Sequence, residues 1–332
     1  MQTVFINGGA GLIGAEVARK LLKKNYKVVI FDSFTHYISP LENKIKNYLD
    51  LRFQGIKDKV IIERGDTANI SLSRRVICKY KPDYILHLAA MPIADLSNVH
   101  VEEAIDSTLL GTINILEIIK DLEYLKNFLY VSSSMIYGDF EKIPCPEDHP
   151  KRPKDIYGGT KYAGEIMTRT FGQRFSIPFS IVRPSAVYGP YDVNMRVSQI
   201  FVENALQGKP LRLNGGGKLM FDFTYVEDIA DGLILALLNK AAIGEEFNIT
   251  YGKGYSLLEF SQILKDLIPS VQIQIVEERD EHRPLRGALS IEKAKKILGY
   301  DPKFPLEKGL KIYVETYQNL GIFKNTGKDH GK

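Results

Sequence analysis

Asn7-Gly8-Gly9-Ala10-Gly11-Leu12-Ile13-Gly14 decides the fold of this chain. A short apolar stretch, Thr3 to Asn7, precedes it and reads as a buried strand. Helical spacing follows from Ile13 to Lys24, with Ile13, Val17 and Leu21 on one face. Glycines spaced GxxGxxG permit a tight turn and let backbone N–H groups close on a pyrophosphate, whose charge a helix N-terminus favours. The next strand, Lys27 to Phe31, delivers Asp32, eighteen residues after Gly14. A carboxylate about twenty residues past such a turn bonds a ribose 2′-hydroxyl and repels a 2′-phosphate. No Arg or Lys follows Asp32 before Lys44. Strand, turn, helix and acid together predict a dinucleotide site, for NAD rather than NADP, built on Gly8, Gly11, Leu12, Ile13, Gly14 and Asp32.

Outward from the turn, further strands are expected at Val60 to Glu63, Tyr84 to His87 and Phe128 to Ser132, with helices at Ser71 to Lys79 and Val101 to Leu122. Apolar strands alternating with helices imply a parallel sheet covered on both faces, the doubly wound α/β (Rossmann) class. The insert Thr35 to Lys59 carries helical spacing at Leu41, Ile45 and Leu49 and predicts a surface helix. Asp66 and Thr67, after the third strand, are placed to meet the adenine end of the cofactor. Ala89 and Ala90, after the fourth, are small enough to let it lie against backbone. After Pro178 the rhythm changes to shorter, mixed elements. The expected division is a cofactor domain over 1–178, with 222–250 returning to it. A smaller mixed α/β substrate lobe spans 179–221 and 251–325, and 326–332 forms a disordered tail.

Composition narrows the class. The 332 residues include 44 basic and 40 acidic side chains, interleaved, for a net charge of +4, which gives no nucleic-acid footprint. No run approaches the roughly eighteen apolar residues of a membrane span. A strand is expected almost from Met1, and the first residues do not read as the basic and apolar regions of a signal peptide. Cys78 and Cys145 form no CxxC pair, as in a reduced cytoplasmic protein. The six histidines have no ligand spacing, so no metal site is expected. Neither a GxSxG elbow nor a phosphate-binding GxxxxGK[ST] loop occurs.

A second signal is Tyr157-Gly158-Gly159-Thr160-Lys161. Positions i and i+4 share a helix face, so phenol and ammonium can reach one substrate. A free phenol, with a pKa of about 10, is a poor base at neutral pH. A nearby ammonium and a positive nicotinamide ring both favour phenolate, which equips Tyr157 to take a proton from a sugar hydroxyl. Ser132-Ser133-Ser134 ends a strand upstream and supplies a hydroxyl for the same oxygen.

With these motifs the chain resembles the extended short-chain dehydrogenases/reductases, specifically the NAD-dependent epimerase/dehydratase family acting on nucleotide sugars. The resemblance covers nearly the whole chain. It includes His87-Leu88-Ala89-Ala90, Gly111-Thr112, Arg183-Pro184 to Gly189-Pro190, Asp222-Phe223-Thr224-Tyr225-Val226-Glu227-Asp228 and Lys293-Ala294 to Gly299-Tyr300. It implies that Tyr157 removes the sugar C4 proton while hydride passes to NAD. Lys161 would lower the Tyr157 pKa and hold the nicotinamide ribose, and Ser133 matches the family's active-site Ser/Thr. It also implies a nucleotide diphosphate sugar as substrate. Homodimers would form by analogy, through the segments Val101 to Leu122 and Tyr157 to Phe175.

Family dehydratases place an Asp-Glu pair directly after that Ser/Thr. Here the two positions are Ser134 and Met135, which supply neither acid nor base, although Asp139 or Glu141 lies near. A 4-epimerase is therefore the expected activity. The alternatives are a C4 dehydrogenase, a 4,6-dehydratase, or a non-catalytic NAD-sensing relative. Four departures are evident: Asn7 for Thr, Thr108 for Asn, Ala186 for the Asn of Arg-Pro-x-Asn, and Phe221 for the Arg before Asp-Phe. The last two remove diphosphate contacts. Arg279, Arg283 and Arg286 are the candidate replacements, with Arg286 nearest a family position; Ser133 and Ser134 complete the expected substrate contacts.

Overall fold

A computed structural model describes residues 1–39, 41, 43–278, 280 and 283–323. Arg279 and the tail 326–332 lie outside the described residues. In chain order the first half runs β1 (Thr3–Asn7), α1 (Leu12–Lys23), β2 (Lys27–Asp32), α2 (Tyr48–Arg52), β3 (Ile61–Arg64), α3 (Ile70–Tyr80) and β4 (Tyr84–His87). Next come α4 (Ala94–Val99), α5 (Val101–Ala104), a π turn (Ile105–Leu110), α6 (Gly111–Ile119), β5 (Asn127–Val131) and α7 (Ile156–Phe175). The second half holds β6 (Phe179–Arg183), β7 (Ala186–Tyr188), α8 (Val197–Leu206), β8 (Leu211–Leu213), β9 (Met220–Tyr225) and α9 (Val226–Leu238). It closes with β10 (Glu246–Asn248), β11 (Gly254–Ser256), α10 (Leu257–Leu267), β12 (Ile273–Ile275), α11 (Glu292–Leu298) and α12 (Leu306–Leu320).

Seven strands form one parallel sheet in the order β10-β6-β5-β4-β1-β2-β3. Alternation along β1 explains why both faces are covered. Val4 and Ile6 join a core with Val17 and Leu21 of α1, while Phe5 joins Val76 of α3 and Ile115 of α6 on the other side. Chain order reverses at β1, whose neighbours are β2 and β4, and the crevice beyond the strand ends opens there. Asn7 is level with Phe31 on one side and His87 on the other, so the segments after all three strands meet at that crevice.

Phe179–Arg183 corrects the expected domain boundary. It pairs with β5 from Phe128↔Phe179 to Val131↔Val182, so the large sheet runs past 178, and β10 completes it at the edge. The smaller lobe contains the sheet β11-β9-β7 and the pair β12-β8.

Two helix expectations also change. Among its described residues the insert makes the short α2 and a 3-10 turn at Lys57–Lys59, because Ser39 and Asn43 accept from the N–H groups of Leu41 and Ile45, local turns that compete with a longer helix. Val101 to Leu122 is interrupted by the π turn. There Ser107 donates to Glu103 O and Thr112 to Thr108 O, inside the widened backbone.

Candidate active site

A cleft of about 760 Å³ crosses the crevice and continues into the smaller lobe. Every described residue expected at a site lines it: the glycine turn, Asp32, Asp66, Thr67, Ala89 and Ala90 at one end, then Ser133, Ser134, Tyr157, Lys161, Arg283 and Arg286.

The glycine turn is tight for steric reasons. Gly8 has φ +73°, and a Cβ there would lie 2.7 Å from Ala89 N, so β1 and β4 close only on glycine. A Cβ on Gly14 would meet Gly9 Cα at 2.6 Å. Gly11 differs: its missing Cβ leaves space bounded only by Gly8 O, at 3.3 Å. It caps α1 with no side-chain hydrogen bond, and the first turn of α1 carries no acid. Free N–H groups, a positive helix end and a cradle that a side chain would fill suit a pyrophosphate. Asp32 accepts from Ala10 N at 2.9 Å and Phe34 N at 2.7 Å, which orients its carboxyl into the cleft. Burial raises its pKa, and the two N–H groups and then Arg52 pull it back. Asp66 accepts from Ala68 N at 2.8 Å in its own turn.

Beneath the turn, buried Asn7 donates through Nδ2 to His87 Nδ1 at 3.1 Å. His87 Nε2 then faces Thr112 Oγ1 at 3.1 Å, and that hydroxyl donates to Thr108 O at 2.6 Å. The direction is forced, because the single Thr112 proton is already committed, so His87 is neutral and protonated on Nε2.

Asp155 caps α7, its Oδ1 accepting from Gly158 N at 2.6 Å, and this places Tyr157 and Lys161 on the cleft face. Gly158 brings the helix against the serine segment, since a Cβ there would lie 2.8 Å from Met135 O. Burial raises the Tyr157 pKa; the Arg196 charge and a hydrogen bond with Ser133 lower it again. Lys161 is buried, donates to Val131 O at 2.8 Å and sits 5.4 Å from the centre of the Tyr130 ring. Burial pushes its pKa down to about 7, against the pull of Glu165. Glu165, one turn further along, is held bidentately by Arg183 at 2.8 Å and 2.8 Å, both side chains fully buried. This pair fixes the register of α7 against β6.

On the substrate side Ser134 is fully buried and donates to Ser185 Oγ at 3.3 Å. Asp139 accepts from Leu285 N at 2.7 Å and pairs with Lys154 at 2.5 Å, Glu141 pairs with Arg152 at 2.6 Å, and neither lines the cleft.

A family model for the NAD dependent epimerase/dehydratase family matches residues 4–250, about three quarters of the chain. The chain belongs to that family. As a member it is an NAD-dependent enzyme. It is similar to a UDP-glucose 4-epimerase from Thermotoga maritima solved with UDP-glucose, at 25% identity and TM-score 0.86, covering 96% of this chain and 99% of that one. A UDP-glucuronic acid 4-epimerase from Bacillus cereus, solved with UDP-glucuronic acid and NAD, gives 27% identity and TM-score 0.86 over 96% and 100%. A dTDP-glucose 4,6-dehydratase from Haemophilus influenzae is 27% identical over 96% of this chain and 98% of its own.

Phe221 lines the cleft, and the Arg286 guanidinium stacks over its ring at 5.0 Å, so an Arg from another segment occupies the neighbourhood of the lost one. Burial lowers the Arg286 pKa to about 10. Arg283 pairs with Asp95 at 2.7 Å and with Asp280 at 3.5 Å. Sequence reasoning missed Arg52 and Arg196, both in the cleft wall. Arg196 reaches Asp192 at 3.2 Å and Pro92 O at 3.5 Å, partners with no recognisable spacing in the sequence.

Proposed function

We propose that this enzyme is a nucleotide-sugar 4-epimerase that oxidises its substrate transiently to a 4-keto sugar. The observation that carries the reading is a cleft lined by Ser133, Tyr157 and Lys161 in which no acid pair directly follows Ser133. Positions 134 and 135 are Ser and Met, and Asp139 and Glu141 are paired outside the cleft. In this reading Tyr157, as phenolate, takes the C4 hydroxyl proton and later returns it. Ser133 holds the same oxygen, and Lys161 supplies positive charge beneath the reacting pair. NAD, when bound, would supply the acceptor and then the donor of one hydride, whose return to the opposite face of the ketone would give the 4-epimer.

Gly8, Gly11, Leu12, Ile13, Gly14, Asp32, Asp66, Thr67, Ala89 and Ala90 hold the cofactor. Arg286, with Arg283, faces the diphosphate. UDP-sugars are the first substrates to try, since two of the solved relatives carry them. The free thiols Cys78 and Cys145 fit a cytoplasmic enzyme. A homodimer is supported by exposed Val101, Ile105 and Leu110 beside exposed Ile166 of α7.

The test is a panel of UDP-, GDP-, CDP- and dTDP-sugars, followed by NMR for products and by absorbance for reduced cofactor. A 4-epimer without net NADH is the expected result. A 4-keto-6-deoxy product, persistent NADH, or no conversion of any sugar would each overturn it. Tyr157→Phe is expected to keep NAD and lose turnover by about 10²- to 10⁴-fold; near-normal rates would mean another base.

A further inference from the structure

Arg52, in the insert between β2 and β3, is 6% exposed and reaches the cleft wall. Its Nη1 donates to Ala10 O at 2.9 Å, inside the glycine turn. Its Nε and Nη2 both donate to Tyr191 O, at 3.1 Å and 2.6 Å. Tyr191, with φ +70°, is fixed in turn, since its N–H donates to the Tyr317 hydroxyl of α12 at 2.8 Å. The Tyr48 ring lies 4.6 Å from the guanidinium carbon. Arg19 of α1 holds the segment from outside, donating to Arg52 O at 2.6 Å and Gln54 O at 2.8 Å. Among the described residues no carboxylate lies within ion-pair distance of the Arg52 guanidinium, and its direct partners are backbone carbonyls.

A carbonyl in a phosphate-binding turn is a liability, because it can rotate toward the anion and repel it. A guanidinium donating to Ala10 O holds that oxygen away from the position of the phosphates while Ala10 N stays committed to Asp32. The planar fork also spans two carbonyls that an ammonium cannot bridge in the same geometry.

We infer that Arg52 is a positioning residue for the cofactor's pyrophosphate, locking the glycine turn in its anion-binding conformation from an insert outside the family's cofactor motif. The test uses the full chain stripped of cofactor, as wild type, Arg52→Met and Arg52→Lys, with calorimetric titration of NAD, ADP-ribose and adenosine. In Arg52→Met, NAD and ADP-ribose are expected to bind roughly ten- to a hundredfold more weakly, the loss of one or two charged hydrogen bonds, while adenosine changes by less than about twofold. Arg52→Lys is expected to fall between. Unchanged ADP-ribose affinity in Arg52→Met overturns the inference. So does an equal loss for adenosine and ADP-ribose, which is the signature of a packing role for the insert. Should Arg52→Met fail to fold, Arg52→Lys carries the same comparison: weakening confined to the pyrophosphate ligands supports the role, and wild-type affinities overturn it.

Discussion

His87 illustrates how a residue read from sequence as part of a motif acquires a physical task. Buried between Asn7 and Thr112, it stays neutral, and burial together with the Lys161 charge holds its pKa near 3, down from an ordinary 6.5. Because the folded-state value is depressed, the contribution is complete above pH 6.5 and is lost as pH falls toward 3. In that window the unfolded chain takes up a proton that the folded chain refuses, which costs about 1.4 kcal/mol per pH unit. His87→Gln, which can accept from Asn7 and donate to Thr112, is expected to lose about 2 kcal/mol less stability than wild type between pH 7 and pH 5. Urea denaturation at the two pH values checks this, and parallel losses in both proteins would place the acid sensitivity elsewhere. At this scale the glycine turn and Asp32 are legible in the sequence because a Cβ is excluded or a carboxylate required at fixed spacing. Arg52 is not legible. Its partners are carbonyls of Ala10 and Tyr191, and a backbone carbonyl leaves no residue-type signal.

Among the elements, α7 carries the proposed catalytic pair Tyr157 and Lys161 on its first turns, so its N-terminus matters more than its length. The Asp155 carboxylate satisfies Gly158 N, and Asn98 Oδ1 accepts from Ile156 N at 3.0 Å. Asp155→Ala is expected to lower stability by about 1 kcal/mol, as at other helix caps, and to cut kcat severalfold by loosening the turn that holds Tyr157. Asp155→Ser, which keeps a capping oxygen, is expected to recover most of both. Thermal melts with steady-state rates check it, and a kcat unaltered in Asp155→Ala would show that the cap does not position the phenol. The parallel strands are legible because each is a compact apolar run between helical spacings. The insert misleads because Leu41, Ile45 and Leu49 have helical spacing, yet Ser and Asn turns intervene: Ile45 is buried, Leu41 is exposed, and the α-helix described there is the short Tyr48–Arg52. α12 is the opposite case. Leu306, Leu310, Tyr313, Val314 and Tyr317 are buried at helical spacing, a pattern present in the sequence but obscured there by the polar residues between them.

For the whole molecule, the large sheet and the smaller lobe share one continuous cleft that takes in the proposed cofactor and sugar sites, while the helices α5 to α7 lie along an outer face of the sheet. That face is unusual for a polar surface. Val101, Ile105 and Leu110 follow α5 and the π turn, Ile166 lies on α7, and all four are exposed. The segments pack against each other, so the side chains contribute to a shared apolar strip instead of scattered points. The strip lies away from the cleft, since none of the four residues lines it. A second copy of the chain, applying the same strip about a two-fold axis, would cover both at once. Ile105→Glu combined with Ile166→Glu puts two charges into that contact on each subunit, an unpaired burial that association cannot absorb. Light scattering coupled to size exclusion is therefore expected to find a dimer for the wild type and a monomer for the double variant. NAD affinity in the variant should stay within about twofold, because cleft and strip share no residue. A wild-type protein already monomeric at micromolar concentration would remove the dimer, and a variant still dimeric would move the interface to another face.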